Sequence, residues 1–162
     1  MSHEFIEEFN VFLAGENSAV ETYELALKSV KTADIREALI KCQSCHAKRV
    51  AKLTTCVVDL GGKPDTDGGV WGPFAEFCQL GASTETEAIA LLEQSEAERL
   101  VQYEAQQKIV VSVVLDVLTD VLLPAQHETH LTMSSLLKSM PSPDDTKLVA
   151  VKVGTPELNT RA

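Results

Sequence analysis

Residues 5–30 read FIEEFNVFLAGENSAVETYELALKSV. Ile6, Phe9, Leu13, Val20, Tyr23, Leu27 and Val30 recur there at three- and four-residue steps, the seam of a helix that packs in a bundle. Ser2 is the expected N-cap. Between Leu13 and Val20 the seam skips one place, and the residue on the line is Glu16. A carboxylate facing a core is costly unless it is paired or bound to a cation.

The rest of the chain repeats this pattern. Thr32, with Asp34 in the first turn, opens a second helix with the seam Ile35, Leu39, Cys42, Leu53, Cys56 and Leu60. His46 falls in its gap. Gly61-Gly62-Lys63-Pro64 ends that helix. Residues 61–83 form one long connection that carries the single Trp, Trp71, and a short helical turn at Phe74, Phe77 and Cys78. Thr84-Glu85-Thr86-Glu87 reads as a capping box opening a third helix, with Leu92, Arg99, Tyr103 and Val110 on its line and Glu96 between them. Ser112 is the expected cap of a fourth, whose seam is Leu115, Leu122, Met133 and Leu137, with a bend at Pro124. That line passes His130, and His127 lies one turn earlier. Met140-Pro141-Ser142-Pro143 stops it. The expected fold is all-α: an antiparallel four-helix bundle over residues 1–140, with one long crossover between helices two and three. Residues 141–162 follow as a short extended C-terminal arm, placed to meet a second copy in a homodimer.

Composition narrows the function. A chain of 162 residues is about one domain. Its formal charge of −10 argues against nucleic acid and anionic membrane as partners. With 44% hydrophobic against 23% charged residues it can bury a core, which excludes a disordered acidic tail. Aromatics at 5% are too few for a base-stacking platform. No basic start followed by an apolar run opens the sequence, and Ile109–Leu123 is too short and polar to span a bilayer. A cytoplasmic protein is expected, with Cys42, Cys45, Cys56 and Cys78 as reduced thiols.

Each helix thus puts one ligand-type residue where leucine would cost less. At about 1.5 Å per residue, Glu16 stands roughly 21 Å from the Val30 end of its helix and His46 roughly 18 Å into the next. Glu96 lies roughly 18 Å from Thr84, and His130 and His127 lie roughly 12 and 17 Å from the end of helix four. The candidates can share one layer. An internal echo supports a pseudo-twofold: Glu16 and Glu96 are each followed seven residues later by a Tyr, Tyr23 and Tyr103, and then by Glu. Gln43 and His46 stand at i and i+3, as do His127 and His130. Two readings stay open. The set holds a transition metal, or it is a structural polar network in which Glu16 pairs with Arg49 or Arg99; Glu98 replaces Glu96 if helix three is rotated.

On Glu16-x6-Tyr23, His46-Ala47-Lys48-Arg49 leading to Leu60–Pro64, Glu96-x6-Tyr103 and Gln126–His130, residues 1–138 resemble the ferritin-like superfamily, and within it an uncharacterised bacterial branch, a domain of unknown function. The resemblance implies a Glu on helices one and three and Glu-x-x-His on helices two and four, around two irons. Glu16 and Glu96 then look like terminal carboxylates and His46 and His130 like histidine ligands. Tyr23, Tyr103, Arg49 and Arg99 stand beside them as hydrogen-bond or charge partners. Gln43 and His127 occupy the places of the bridging Glu residues and cannot bridge as carboxylates do. Fewer carboxylates compensate less charge, which favours one divalent ion, zinc or ferrous iron, over two. The functional expectation is a metal-binding protein with iron-dependent oxygen chemistry or metal handling. The alternative is a non-enzymatic helical interaction or stress-associated module with a structural polar core. A third reading is covalent c-type haem at Cys42-x-x-Cys45-His46.

Overall fold

Alternating apolar steps and well-placed breakers give four long helical runs and one short helix. The computed structural model describes residues 1–80 and 84–141, so the expected arm lies, from residue 142 onward, outside the described residues. In chain order the elements are α1 (Ser2–Leu27), α2 (Ala33–Asp59), α3 (Gly72–Gln79), α4 (Glu85–Gln106), α5 (Ser112–Val117), a π turn (Leu118–Leu122) and α6 (Leu123–Ser139). No strand occurs among the described residues, and the all-α expectation holds. α1 packs chiefly on α2 and α4 chiefly on α6, with further contacts joining α2 to α6 and α1 to α4.

The ends show where the local chemistry acts. Thr84 and Glu87 form the predicted reciprocal capping box at the head of α4. Thr32 makes no side-chain cap for α2. Glu85 does that work from the neighbouring helix: its carboxylate accepts from the backbone N–H of Lys31 at 2.5 Å and of Thr32 at 2.7 Å. An anion at a helix N-terminus satisfies orphan donors and complements the dipole. Two predicted caps are corrected. Met1, not Ser2, precedes α1. Val111, not Ser112, is the residue before α5, and Ser112 enters the helix with φ +53°, too far along to cap it. The bend expected at Pro124 takes the form of the π turn just before it. Proline has no N–H to give and its ring crowds the carbonyl four residues back, so the helix widens there.

The seams rotate slightly from their predicted lines. Ala19, Ala26 and Val57 face the core, and Val20, Leu27 and Cys56 stay half-buried at its edge. The buried residues form two apolar clusters. One gathers Phe9, Leu13, Leu53, Val57, Leu118 and Leu122; the other gathers Ala26, Leu39, Phe74, Ile89, Leu92 and Met133. Between them along every long run lies a band of buried polar residues: Glu16, His46 with Arg49, Glu96, and Gln126 with Thr129.

The crossover is strapped along the outside of α1. Asn10 bonds Lys63 and Asp65, Asn17 bonds Asp65, and Thr22 Oγ1 accepts from the Trp71 N–H at 3.2 Å. Gly68 touches the helix directly: a Cβ there would lie 2.2 Å from the Ser18 backbone nitrogen. Neither backbone can yield locally. Gly68→Ala is therefore expected to lower stability by roughly 1–3 kcal/mol in urea titration. Gly72→Ala, where a Cβ meets nothing within 4 Å, is expected to leave the midpoint in place.

Candidate functional site

The polar band is one connected network. His46, fully buried on α2, stands between two carboxylates, with Nδ1 2.6 Å from Glu16 Oε2 and Nε2 2.8 Å from Glu96 Oε1. Each distance requires a proton between nitrogen and oxygen; with both carboxyls held low and ionised, each ring nitrogen donates and the imidazole carries positive charge. One turn on, Arg49 Nη1 donates to Glu16 Oε1 at 3.2 Å and to Gln126 Oε1 at 2.6 Å, while Nη2 donates to Thr129 Oγ1 at 3.2 Å. Gln126 Nε2 and the Thr129 hydroxyl donate in turn to Glu96 Oε2, at 2.6 and 2.8 Å. Two carboxylates meet two cations, and the layer is neutral.

The predicted pseudo-twofold is visible in the tyrosines. Tyr23 of α1 donates to Glu96 of α4 at 2.6 Å, and Tyr103 of α4 donates to Glu16 of α1. Each hydroxyl thus closes the carboxylate of the opposite pair. The symmetry breaks on the other two helices. At the same i, i+3 spacing α2 supplies two cations, His46 and Arg49, and α6 supplies two neutral groups, Gln126 and Thr129.

Burial raises the pKa of both carboxyls, but His46 together with Arg49 and Arg99 at Glu16, and with Tyr23 and Thr129 at Glu96, more than offsets it. Each is held at about 2. Burial lowers the pKa of His46, but Glu16 and Glu96 overcome it and the net shift is upward. The two tyrosine hydroxyls are raised, first by burial and then by the carboxylate each one faces.

The structure thus brings together Glu16, His46, Glu96, Tyr23, Tyr103 and Arg49, but not the remaining predicted residues. Gln43 is half-buried and donates to the Val20 carbonyl at 3.1 Å. His127 is exposed. His130 pairs at 3.0 Å with Glu93 at the edge, where both are about a quarter exposed. Arg99 is half-buried over Gly15 and makes no bond to Glu16. Gln126 and Thr129 stand where His130 was expected. A signal for them exists in the sequence. Leu122, Gln126, Thr129 and Met133 keep a 4-3-4 spacing, whereas a line through His130 needs two successive fours.

The set does not fit a metal ion. His46 turns its two nitrogens to different carboxylates, and the Arg49 guanidinium lies 3.2 Å from Glu16 Oε1 and 3.4 Å from His46 Nε2. Among the described residues no group of three or more His, Cys, Asp or Glu side chains is arranged to hold one. The haem reading of Cys42-x-x-Cys45-His46 meets the same fact, since neither nitrogen of His46 is free.

The pKa directions fix a pH profile. Glu16 and Glu96 titrate lower folded than unfolded, so their contribution is complete above about 4.5 and lost as pH falls toward about 2. His46 titrates higher folded, so its contribution is complete below about 6.5 and lost as pH rises. Urea midpoints are expected to peak between these values. Arg49→Met, which strands a buried carboxylate, is expected to cost roughly 3–5 kcal/mol, and His46→Gln to flatten the alkaline limb.

No curated protein and no solved structure matches the chain. Residues 4–108, which carry α1 to α4 and hence both carboxylates, both tyrosines and both cations of the network, match a family model described as a domain of unknown function (DUF2383), and the chain belongs to that family.

Proposed function

We propose that this protein is a ferritin-like four-helix bundle in which a closed ion network stands in the layer a metal would otherwise occupy, and that it acts as a non-enzymatic helical interaction module. The observation that carries this reading is Arg49. A guanidinium within hydrogen-bond reach of Glu16, Gln126 and Thr129 supplies fixed positive charge at the centre of the site. No ionised side chain of the layer is left over to bind or activate a substrate. The polar layer then fixes the register of the helices, a use well attested for buried polar groups.

Function under this reading lies on the surface. Ile109, Val111 and Val113 follow one another around the α4–α5 turn with 68%, 58% and 40% of their surface exposed. No described helix is long and apolar enough to cross a membrane. Together with the charge of −10, this favours a cytoplasmic protein whose partner is another protein.

Elemental analysis of protein purified without chelator tests the reading. No stoichiometric iron or zinc is expected, and the melting temperature is expected to stay put when either ion is added. Metal at one or more equivalents per chain, lost in Glu16→Ala/His46→Ala protein, with a rise in melting temperature on loading, would overturn it in favour of a metal-handling protein.

A further inference from the structure

A groove of about 490 Å³ opens between α2 and α6 on the outer side of the polar layer. Cys42 and Cys45 line it together, among side chains of both charges, Lys41 and Lys48 with Glu37 and Glu128. We propose that these two cysteines are a redox modification site, a dithiol that a small hydroperoxide entering the groove converts to a disulfide. The inference goes beyond the proposed function and does not depend on it.

The spacing permits the bond. Residues at i and i+3 of a helix have Cα atoms about 5 Å apart, inside the range a disulfide spans. Their Cβ atoms start about 5–6 Å apart and must close to about 3.8 Å, so oxidation tightens one turn of α2. The two sulfurs are not equivalent. Cys42 is buried and Cys45 is half-buried. Cys45 Sγ also accepts from Arg49 Nη2 at 3.8 Å, which holds the sulfur at the wall of the groove. Cys45 is thus the attacking sulfur and Cys42 the resolving one.

The step balances. The Cys45 sulfur attacks the peroxide, the O–O bond breaks, and the oxygen not taken up by sulfur leaves as water or alcohol with the proton that Cys45 gives up. Cys45 is left as a sulfenic acid. The Cys42 sulfur then attacks Cys45, its proton and the hydroxyl leave as water, and the disulfide forms. Two thiols lose two electrons and two protons, and one peroxide is reduced. The remaining thiols serve as internal controls. Cys56 packs against the apolar cluster beyond the polar layer and Cys78 sits on α3.

The experiment treats the whole chain with equimolar hydrogen peroxide, then blocks, counts and maps its thiols. Two of the four are expected to disappear, with a bond mapped between Cys42 and Cys45 and reversed by dithiothreitol. Cys42→Ser is expected to stop at a sulfenic acid on Cys45 that dimedone captures, and Cys45→Ser to lose the fast phase of peroxide consumption. Circular dichroism shows whether each variant is folded; if one is not, alkylation of native protein gives an independent reading. Cys45 is then expected to react faster than Cys56 and Cys78, and peroxide treatment to abolish that reaction. A disulfide involving Cys56 or Cys78, a bond between chains, or Cys45→Ser protein that consumes peroxide as fast as the parent would overturn the proposal.

Discussion

Two carboxylates cannot be taken into an apolar core without two positive charges beside them, and that requirement organises the structure around Arg49 and His46. Removing a buried ion from water costs several kcal/mol even after relaxation, and only close, fully hydrogen-bonded counter-charges offset it. Here the offset draws on all four long helical runs. α1 and α4 give the acids, α2 gives the cations, and α6 gives the amide and hydroxyl that link Arg49 to Glu96. A slip of any helix by one residue would break several of these bonds at once. The apolar clusters on either side are fatty and interchangeable in kind; the band between them accepts only one alignment.

Such a layer contributes more to uniqueness than to stability. Ion networks of this sort can often be replaced by well-packed hydrophobic residues at little cost, whereas removing one member strands the rest. The crossed tyrosines fit that view. Tyr23 and Tyr103 each bury an aromatic ring among apolar neighbours and give their one hydroxyl proton to the acid across the bundle. Arg49 is served at both terminal nitrogens, and only its Nε is left without a partner among the described residues.

Much of this was legible in the residues. Glu16, His46 and Glu96 stand out because a polar residue on a seam is conspicuous when its neighbours are leucine and phenylalanine, and the Glu-x6-Tyr echo pairs the right helices. The capping box at Thr84 is read correctly because its chemistry is local. What fails is orientation at a distance. Arg49 is placed beside the site when it lies at the centre, since a long side chain reaches back into a core from a position three residues past the seam gap. His130 and His127 are misassigned because seam counting tolerates a 4-4 step that packing does not. Ser112 is misread because its backbone adopts a left-handed φ that no rule of composition announces.

The widened turn at Leu118–Leu122 bears on comparison with other chains. A π turn holds one residue more than the α-helical path it interrupts, so positions before and after it fall out of phase. The family match ends at residue 108, ahead of this point. An alignment carried farther without a one-residue gap between 118 and 122 would set Ala125 and Glu128 of this chain against the inward positions of a relative with an uninterrupted helix. The exposed Glu128 would then be read as an inward carboxylate, and the buried Gln126 and Thr129 would be missed.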